Sequence, residues 1–494
     1  MTSDLGQLLT LGAYYAVLGL LALYGAHRAY MVHLYYRHRN ETPRPAGPLE
    51  EPPRVRVTVQ LPIYNEVYVV ERLVSSVAAL DYPRRLLQIQ ILDDSTDETR
   101  EVARATAERL SAQGFDVDYR PRPHRDGYKA GALQAGLASA TGEFVLILDA
   151  DFMPRPDLLR TTLPFFADPR VGLVQARWEH LNREFSLLTR IQAILLDGHF
   201  VIEHTARHRS GRFFNFNGTA GVWRRACIED AGGWAADTLT EDLDLSYRAQ
   251  LRGWRFVYFK DCVVPGEVPV DIHGFRNQQN RWTKGSIQTA RKILPAVLRS
   301  RLPWRVKSEA LVHLAGNSSY VLMVALSLLL VPAVVIRDRI GWQRLATLDF
   351  PLFFGATLAF YAFYAASQRE LGRGWAATLR DLPGVSALGI GLSVSNARAV
   401  LEAVFAKPGE DEFVRTPKYS IEGAAGEWRS KKYRASGRGS VLLEALLAAY
   451  YLAGLLFAVR YGYWVAVPFL LVFFHGFAYT SVLSLRSSLS PAPR

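Results

Sequence analysis

Two clusters of aspartates carry the first side chains that could do chemistry in this chain. Asp93 directly follows one run of β-branched and apolar residues, and Asp149-Ala150-Asp151 ends another. Carboxylates at positions i and i+2 can converge on a hard cation, and Mg²⁺ or Mn²⁺ often binds one or two carboxylates together with substrate phosphates. Aspartate is also common in turns and helix caps. Two such clusters at strand ends nevertheless favour a site, one that suits a nucleotide diphosphate held through a metal.

Three further charged residues stand where helices are expected to begin. Lys129 opens the helical pattern GYKAGAL and could meet a phosphate, because helix N-termini favour anions, although a solvated lysine is an equal alternative. Glu241 and Asp242 could simply stabilise a helix dipole. Alternatively, one of these carboxylates could act as a general base, because a sugar hydroxyl must lose its proton as the new bond forms. The Walker-type loop G-x-x-x-x-G-K-[ST] is not found, which argues against a P-loop nucleotidase.

The segment QQNRW, residues 278–282, stands a short distance before a long apolar run. Arg281 offers a forked, permanently charged donor for phosphate, and Trp282 offers a flat face that stacks on sugar rings or cations. Gln278 adds an amide for hydroxyls or phosphate. A membrane anchor, a nucleic-acid patch and an active site are the three interpretations. Composition alone favours the anchor, because Trp and Arg collect at membrane surfaces.

The elements that must position these residues alternate between strands and helices from residue 55 onward. The pattern predicts strands over VRVTVQLP, LQIQILDDS, EFVLILDAD and VGLVQAR, with helices over about residues 66–80, 97–112 and 127–140. Such alternation predicts a largely parallel sheet covered by helices. In these sheets, ligands bind at the carboxyl ends of the strands. The aspartate clusters fall at those ends.

The apolar residues of the 494-residue chain are concentrated toward its two ends, and they make up 49% of the total. A helix needs about 20 apolar residues to cross a bilayer. The candidate spans are residues 8–26, 317–336, 349–367, 440–459 and 462–484. The first span lacks the basic residues that precede a signal peptide's apolar core and is instead followed by basic residues. The positive-inside rule therefore places the N-terminus outside and the next segment in the cytoplasm.

Residues 383–405 are apolar but end with charged side chains. Arg398 and Glu402 lie four apart and share one helical face, so this segment is predicted to be an interfacial amphipathic helix. That interpretation gives five crossings and keeps the basic loop 406–438 on the same side of the membrane as the α/β block. The net charge of +12 suits nucleic acid, an anionic membrane surface or phosphate-bearing substrates. Much of it lies beside apolar runs, which favours the membrane.

The chain is therefore predicted to have four parts. They are an N-terminal membrane helix with its basic flank (1–40), a Pro-rich linker (41–54), an α/β domain (55–300) and a C-terminal set of membrane and interfacial helices (301–494). Cys227 and Cys262 form neither a metal-ligand cluster nor a disulfide framework. They fit a reduced, cytoplasmic domain.

In their order, the motifs resemble those of processive family 2 glycosyltransferases of the cellulose synthase and cellulose-synthase-like superfamily. The signatures D, D-x-D, T-E-D and Q-x-x-R-W stand here as Asp93, Asp149–Asp151, Thr240–Asp242 and Gln278–Trp282. The wording GYKAGAL, FNGTAGVWR and EFVRTPK is similar to the plant branch that makes mannan, glucomannan or xyloglucan backbones, and to its bacterial relatives. The resemblance runs from about residue 50 through the C-terminal membrane region.

The resemblance implies a GT-A fold, a Rossmann-like α/β domain, joined to helical membrane segments, and it implies a role for each matching residue. The donor nucleotide sugar would meet Asp93, Lys129, Asp149, Asp151, Gln278 and Arg281, with Mg²⁺ or Mn²⁺ on Asp149 and Asp151. Asp242 would be the catalytic base, and the acceptor would meet Trp282, Glu241, Asn217, Gly218 and Thr219. A gating loop would consist of Phe413, Val414, Arg415, Thr416 and Lys418. That loop departs from the family pattern F-x-V-T-x-K, because Arg415 replaces Val and Pro417 is added.

The implied function is that of a membrane-embedded, inverting hexosyltransferase, a β-glycan synthase. It would polymerise a β-1,4-linked hexose chain from GDP-mannose or UDP-glucose and translocate it across the membrane, expected to be a bacterial inner membrane with the catalytic domain in the cytoplasm. Its partners would be the donor, the growing polysaccharide and membrane lipid, and not nucleic acid. A non-processive transferase that adds one sugar to a lipid is the enzymatic alternative. A basic receptor or nucleic-acid binder is the non-enzymatic one, and the sequence leaves the sugar and the oligomeric state open.

Overall fold

The computed structural model describes residues 2–48, 53–341, 344, 346–405, 411–435 and 441–488. The helices up to the end of the α/β part are α1 Thr2–His38, α2 Val70–Ala78, α3 Thr99–Ala112, α4 Tyr128–Leu137, α5 Leu158–Thr162, α6 Leu187–Asp197, α7 His204–Arg209, α8 Arg225–Asp230, α9 Glu241–Leu251 and α10 Ile272–Arg299. The C-terminal helices are α11 Trp304–Ala315, α12 Ser319–Arg339, α13 Ala346–Asp349, α14 Gly355–Glu370, α15 Trp375–Gly391, α16 Ser393–Phe405, α17 Val441–Arg460 and α18 Val467–Ser488. A π-helical segment, Gly198–Glu203, joins α6 to α7.

Seven strands form one mixed sheet in the α/β part. They are β1 Val57–Ile63, β2 Leu87–Asp93, β3 Asp116–Pro121, β4 Phe144–Ile147, β5 Val171–His180, β6 Gly221–Arg224 and β7 Arg255–Gly266. Their spatial order is β3-β2-β1-β4-β6-β5-β7, and only β6 runs antiparallel to its two neighbours. The predicted α/β class and largely parallel sheet are confirmed. Strands β3, β6 and β7 were not predicted.

Both faces of the sheet are covered, as the strand sequences require. In β4, Phe144 and Leu146 pack with helices α2 and α3, whereas Val145 and Ile147 pack on the opposite face with α4, α8 and α9. Successive side chains of a strand point to opposite faces, so an unbroken apolar strand such as FVLI needs a cover on each side. This two-layer cover leaves the strand ends as the part of the sheet open to ligands.

Among the described residues, five helices are long and apolar enough to cross a membrane. They cover Leu5–His38, Trp304–Arg339, Thr347–Glu370, Val441–Arg460 and Val467–Ser487, and each contains or largely overlaps one of the predicted spans. Residues 383–405 are not the one continuous helix that was predicted, and their interfacial position stays a prediction. The segment is the end of α15 and all of α16, which bend by 42° at Leu392 and together are also long and apolar enough to form a broken span.

The bent pair α15–α16 packs against α10 on one side and α18 on the other. Asn280 of α10 donates to the carbonyl of Ser395 (3.2 Å), and Lys284 of α10 forms an ion pair with Glu402 (3.3 Å). In α15, Gly391 lies so close to Thr480 of α18 that an added Cβ would stand 2.1 Å from its methyl carbon. The charged face of α16 therefore meets α10, and the segment is packed between other helices.

Candidate active site

A cleft lies at the carboxyl ends of the parallel strands, where the aspartate clusters were expected. It encloses about 1240 Å³, its open mouth included. The predicted residues that line it are Lys129, Asp149, Asp151, Asn217, Gly218, Glu241, Asp242, Gln278, Arg281, Trp282, Phe413, Arg415, Thr416 and Lys418. Residues more than 280 positions apart in sequence thus meet in one place.

The paired carboxylates after β4 are each held by a lysine. Asp149 accepts a hydrogen bond from the Lys129 ammonium, and its backbone N–H donates to Thr219 Oγ1 (2.9 Å). Asp151 is buried, and its Oδ2 accepts from the Glu267 N–H (2.9 Å) and from Lys418 Nζ (2.7 Å). Burial lowers the pKa of Lys129, but the combined charges of Asp149, Glu241 and Asp242 outweigh burial and raise it, so this lysine stays protonated.

The carboxylate pair fits a hard divalent cation. The described part of the chain holds no group of three or more His, Cys, Asp or Glu side chains suited to a metal. A two-carboxylate site completed by substrate phosphate and water is the arrangement that Mg²⁺ commonly uses. The Lys418 ammonium already forms an ion pair with Asp151. A divalent cation would bring positive charge to the same place, so the lysine and the cation would compete for the Asp151 carboxylate.

The Glu241 and Asp242 carboxyl groups stand at the first turn of α9. Asp242 Oδ1 accepts from the Leu243 N–H (2.8 Å). Burial, with the neighbouring Glu241 charge adding to it, raises the pKa of Asp242 to about 7, although Lys129 opposes the shift. A carboxylate with a pKa near the working pH is well matched to removing a proton from a hydroxyl.

Gly218 keeps the space next to this carboxylate open. Its φ is +80°, and an added Cβ would lie 3.1 Å from Asp242 Oδ2 and 3.3 Å from Lys129 Nζ. Because φ is positive, a side chain here would be strained as well as crowded. Only glycine lets the backbone approach the Asp242 carboxylate so closely.

The QQNRW segment lies within α10 and faces the cleft. Asp271 is the N-cap of this helix, and its Oδ1 accepts from the Gly274 N–H (2.8 Å). Gln278, Arg281 and Trp282 stand at i, i+3 and i+4 and therefore share one face, and all three line the cleft. The structure thus brings this segment to the candidate active site, whereas composition alone favoured a membrane anchor.

Arg281 connects the QQNRW segment to the predicted gating loop. Its Nη1 donates to the Val414 carbonyl (3.0 Å), and its guanidinium lies 4.2 Å from the Phe413 ring centroid. Burial lowers the pKa of Arg281, and the nearby Glu241 and Asp149 charges oppose that shift. Arginine remains charged in this setting.

The described part of the gating loop, residues 411–435, is docked in the cleft. The Tyr419 and Ser420 N–H groups donate to the two carboxylate oxygens of Glu267, each at 2.9 Å. Lys418 adds a bond to the Glu267 carbonyl (2.9 Å). Phe413 stacks on Tyr128 with ring centroids 6.0 Å apart. Residues 406–410 and 436–438 of the predicted loop lie outside the described residues.

Three predicted site residues are not among those that line the cleft. Asp93 is fully buried and accepts from the Ser95 N–H and the Tyr119 hydroxyl, both at 2.8 Å. Thr219 is also fully buried, and it holds the Asp149 backbone. Val414 is half exposed and contributes only its carbonyl. These residues stand behind or beside the cleft wall.

Asp94 lines the cleft in place of Asp93. Its two oxygens accept from Arg122 Nε and Nη2, both at 2.6 Å, as a bidentate pair. Two adjacent aspartates after a strand predict a site, but the sequence does not show which of the two points outward. The side-chain orientation at the end of β2 decides this.

Other cleft residues were not predicted from sequence. They include Glu66, Arg125, Trp178, His180 and Glu267. Glu66 stands shortly after β1, and Asp93 is the last residue of β2. An acidic residue after the first strand was therefore a sequence signal that could have predicted Glu66. Glu267 follows β7, a strand that the sequence pattern did not predict. Burial raises the pKa of Glu66 to about 8, opposed by the Arg415 charge.

The mixed sheet with helices on both faces has the GT-A fold. The same fold is found in the mannosyltransferase PcManGT from Pyrobaculum calidifontis, solved in complex with GDP-Man and Mn²⁺. That structure aligns at a TM-score of 0.53 and 22% identity, over 78% of this chain and 99% of PcManGT.

Sequence comparison finds relatives of the α/β part. Residues 52–285 match the family described as glycosyltransferase like family 2. It is 43% identical over 250 residues to glucomannan 4-beta-mannosyltransferase 2 of Arabidopsis thaliana, which is 50% of this chain and 47% of the relative. Glucomannan 4-beta-mannosyltransferase 1 of Oryza sativa subsp. japonica matches equally well, at 43% identity over 50% of this chain and 48% of its own length. The chain spans about half the length of these curated relatives.

Proposed function

We propose that the protein is a membrane-embedded, inverting, processive hexosyltransferase that builds a β-1,4-linked glycan from GDP-mannose or UDP-glucose. The observation that carries the proposal is the position of Asp242, a carboxylate with a pKa near 7, in one cleft with the Asp149–Asp151 pair and Arg281. The relatives named as 4-β-mannosyltransferases support GDP-mannose as the first donor to test.

The donor half of the cleft would bind the nucleotide diphosphate. Asp94 would take over the nucleotide contact first expected of Asp93, because it is the one that lines the cleft. Asp149 and Asp151 would hold Mg²⁺ or Mn²⁺, which supplies positive charge to the diphosphate as it leaves. Lys129 and Arg281 would add fixed positive charge at the same place, which stabilises charge that develops in the transition state.

The acceptor half would position a sugar hydroxyl for attack. Asp242 would remove the proton from the acceptor O4 as this oxygen attacks the anomeric carbon from the side opposite the leaving diphosphate. Attack from that side inverts an α-linked donor to a β-linked product. Trp282, Glu241, Asn217 and Gly218 would hold the acceptor.

The helix that carries QQNRW also connects the cleft to the membrane helices. Arg276 of α10 donates to both carboxylate oxygens of Glu444 in α17 (2.9 and 3.0 Å) and to Ser484 of α18 (2.9 Å). This buried link packs the helix that carries the proposed acceptor site directly against the membrane helices. We propose that the product leaves through these helices, across a bacterial inner membrane, with the catalytic domain in the cytoplasm.

The test compares purified wild-type protein with Asp242→Asn, given radiolabelled GDP-mannose and UDP-glucose separately with Mn²⁺ or Mg²⁺. Loss of a general base is expected to lower turnover about 10²- to 10⁴-fold. Asp230→Asn is the control, because Asp230 is exposed and pairs with Arg252 away from the cleft. Wild-type polymer synthesis by Asp242→Asn would show that the base assignment is wrong. A product of one sugar on a lipid would support the non-processive alternative.

A further inference from the structure

The Asn217 side chain is held between two histidines at the edge of the cleft. His204 Nε2 lies 2.6 Å from Asn217 Oδ1, and His199 Nε2 lies 3.0 Å from Asn217 Nδ2. Both histidines come from the segment around the π-helical turn Gly198–Glu203. Short π-helical turns inside helices are often found at functional sites.

Glu203 determines which ring nitrogen of His199 carries the proton. Its Oε2 lies 3.0 Å from His199 Nδ1. Burial raises the pKa of Glu203, but the charges of Arg28 and Arg207 outweigh burial and hold it well below its ordinary value. An ionised carboxylate only accepts hydrogen bonds. His199 Nδ1 therefore donates to Glu203. Asn217 Nδ2, which can only donate, lies at His199 Nε2, so Nε2 is the acceptor.

His204 completes the same directional chain from the other side. Because Asn217 Nδ2 points at His199, Asn217 Oδ1 faces His204 Nε2. His204 Nε2 must therefore donate to Asn217 Oδ1. His204 is fully buried, and its Nδ1 has no hydrogen-bond partner among the described residues. Burial lowers the pKa of His204 well below its ordinary value, so this ring is neutral with its proton on Nε2. The Asn217 amide then has one orientation that satisfies both rings.

Held in this way, Asn217 has one N–H left to offer to the cleft. Nδ2 carries two protons, and His199 is its one acceptor among the residues the structure describes. Asn217 lines the cleft next to Gly218, and a Cβ on Gly218 would stand 3.1 Å from Asp242 Oδ2. Asn217 and Asp242 both line the cleft, so a sugar bound at Asp242 would lie in the same cleft as the remaining Asn217 N–H.

We propose that His199 and His204 are positioning residues that hold the Asn217 amide as a single hydrogen-bond donor to an oxygen of the acceptor sugar beside Asp242. The inference rests on the proposed function, because it names the acceptor contact of the same site. It also ties the acceptor site to the first membrane helix, since Arg28 of α1 forms an ion pair with Glu203.

Kinetics with a soluble acceptor test the inference. The probe is β-1,4-linked mannohexaose, and the two readouts are its KM at saturating GDP-mannose and the hydrolysis of GDP-mannose without acceptor. His204→Phe keeps the ring volume but removes the donor, and it is expected to raise the acceptor KM about tenfold. Donor hydrolysis should stay within about twofold of wild type, because the donor contacts are untouched.

Two further variants separate positioning from simple packing. His204→Gln supplies a new amide N–H and is expected to recover most of the lost acceptor affinity. His208→Phe is the matched control, because His208 lies on the same short helix against Phe214 and does not line the cleft. An unchanged acceptor KM in His204→Phe, or an equal loss of hydrolysis and transfer, would overturn the inference.

A measurement that needs no turnover tests the same arrangement. The ¹⁵N chemical shifts of labelled histidine, assigned with the single variants, are expected to show His199 protonated at Nδ1 and His204 at Nε2. The opposite tautomers would overturn the inference even in an active enzyme. A wild-type protein that turns over no nucleotide sugar but shows these tautomers would contradict the proposed function and leave the amide arrangement supported.

Discussion

Asp242→Asn is expected to remove activity and to stabilise the fold at neutral pH. The folded-state pKa of Asp242 is raised from 3.8 to about 7, first by burial and then by the Glu241 charge. At about 1.4 kcal/mol per pKa unit, a shift of roughly three units corresponds to an upper limit of about 4 kcal/mol. The carboxyl is partly open to the cleft, and solvent screening lowers the expected gain to about 1–3 kcal/mol.

The pH dependence follows from the direction of the shift. In the unfolded chain Asp242 ionises near pH 3.8, whereas in the folded protein it keeps its proton until about pH 7. Between these values the unfolded state binds fewer protons, so the wild type loses stability as pH rises, and the deficit is complete above pH 7. Asparagine carries no charge at any pH. The advantage of Asp242→Asn should therefore be absent near pH 4, grow through pH 5 and 6, and be full at pH 8.

The assay is the thermal midpoint of detergent-solubilised protein, followed by tryptophan fluorescence at pH 5 and pH 8. The midpoint of the variant is expected to exceed that of wild type by a few degrees at pH 8 and by clearly less at pH 5. Asp230→Asn is the control. Hydrogen bonds from Arg252 and Trp254 lower the pKa of Asp230 to about 2, so its substitution should reduce stability equally at both pH values. A midpoint difference for Asp242→Asn that is the same at pH 5 and pH 8 would refute this reasoning.

Three further predictions follow from contacts around the cleft. Arg276→Leu breaks the buried ion pair with Glu444 and should cost about 3–5 kcal/mol of stability. The double variant Arg276→Leu with Glu444→Leu should recover most of the lost stability, measured by thermal unfolding. No recovery would show that Arg276 and Glu444 are not coupled. Lys418→Met should tighten Mn²⁺ binding several-fold, measured by electron paramagnetic resonance, because Lys418 competes for Asp151. Unchanged Mn²⁺ affinity would contradict that competition. Trp282→Ala should raise the acceptor KM about tenfold and shorten the products on a sizing gel, since stacking on a sugar ring contributes roughly 1–2 kcal/mol. A raised donor KM alone would place Trp282 on the donor side.

Local sequence patterns predicted a large part of the fold. The parallel part of the sheet follows from apolar strands such as those at Val57–Ile63 and Leu87–Asp93, because strands buried on both faces need unbroken apolar runs. The membrane spans follow from helix length and hydropathy alone. The edge strand Asp116–Pro121 was missed although DVDYRP alternates polar and apolar residues, because the run is short and only partly buried.

Side-chain direction at the site is what local patterns could not decide. Asp93 and Asp94 are chemically equivalent in the sequence, but one points into the protein and the other into the cleft. Thr219 sits in the acceptor motif, but it holds a backbone N–H behind the wall. The bend at Leu392 depends on close packing of Gly391 against Thr480, which no single helix pattern contains.

By itself, the sequence determined which chemistry was possible, through carboxylates at strand ends, an arginine and tryptophan on one helix face, and apolar helices of spanning length. The order of its motifs also predicted that Gln278–Trp282 belongs to an active site, and in the structure Gln278, Arg281 and Trp282 line the cleft. Only the tertiary structure decided which groups meet. Lys418 reaches Asp151 from 267 positions away, and the Asn217 amide is oriented by two rings on a neighbouring helix. The physical reason is that periodicity and residue type report on local backbone and burial, whereas hydrogen-bond direction and charge pairing arise when distant segments pack.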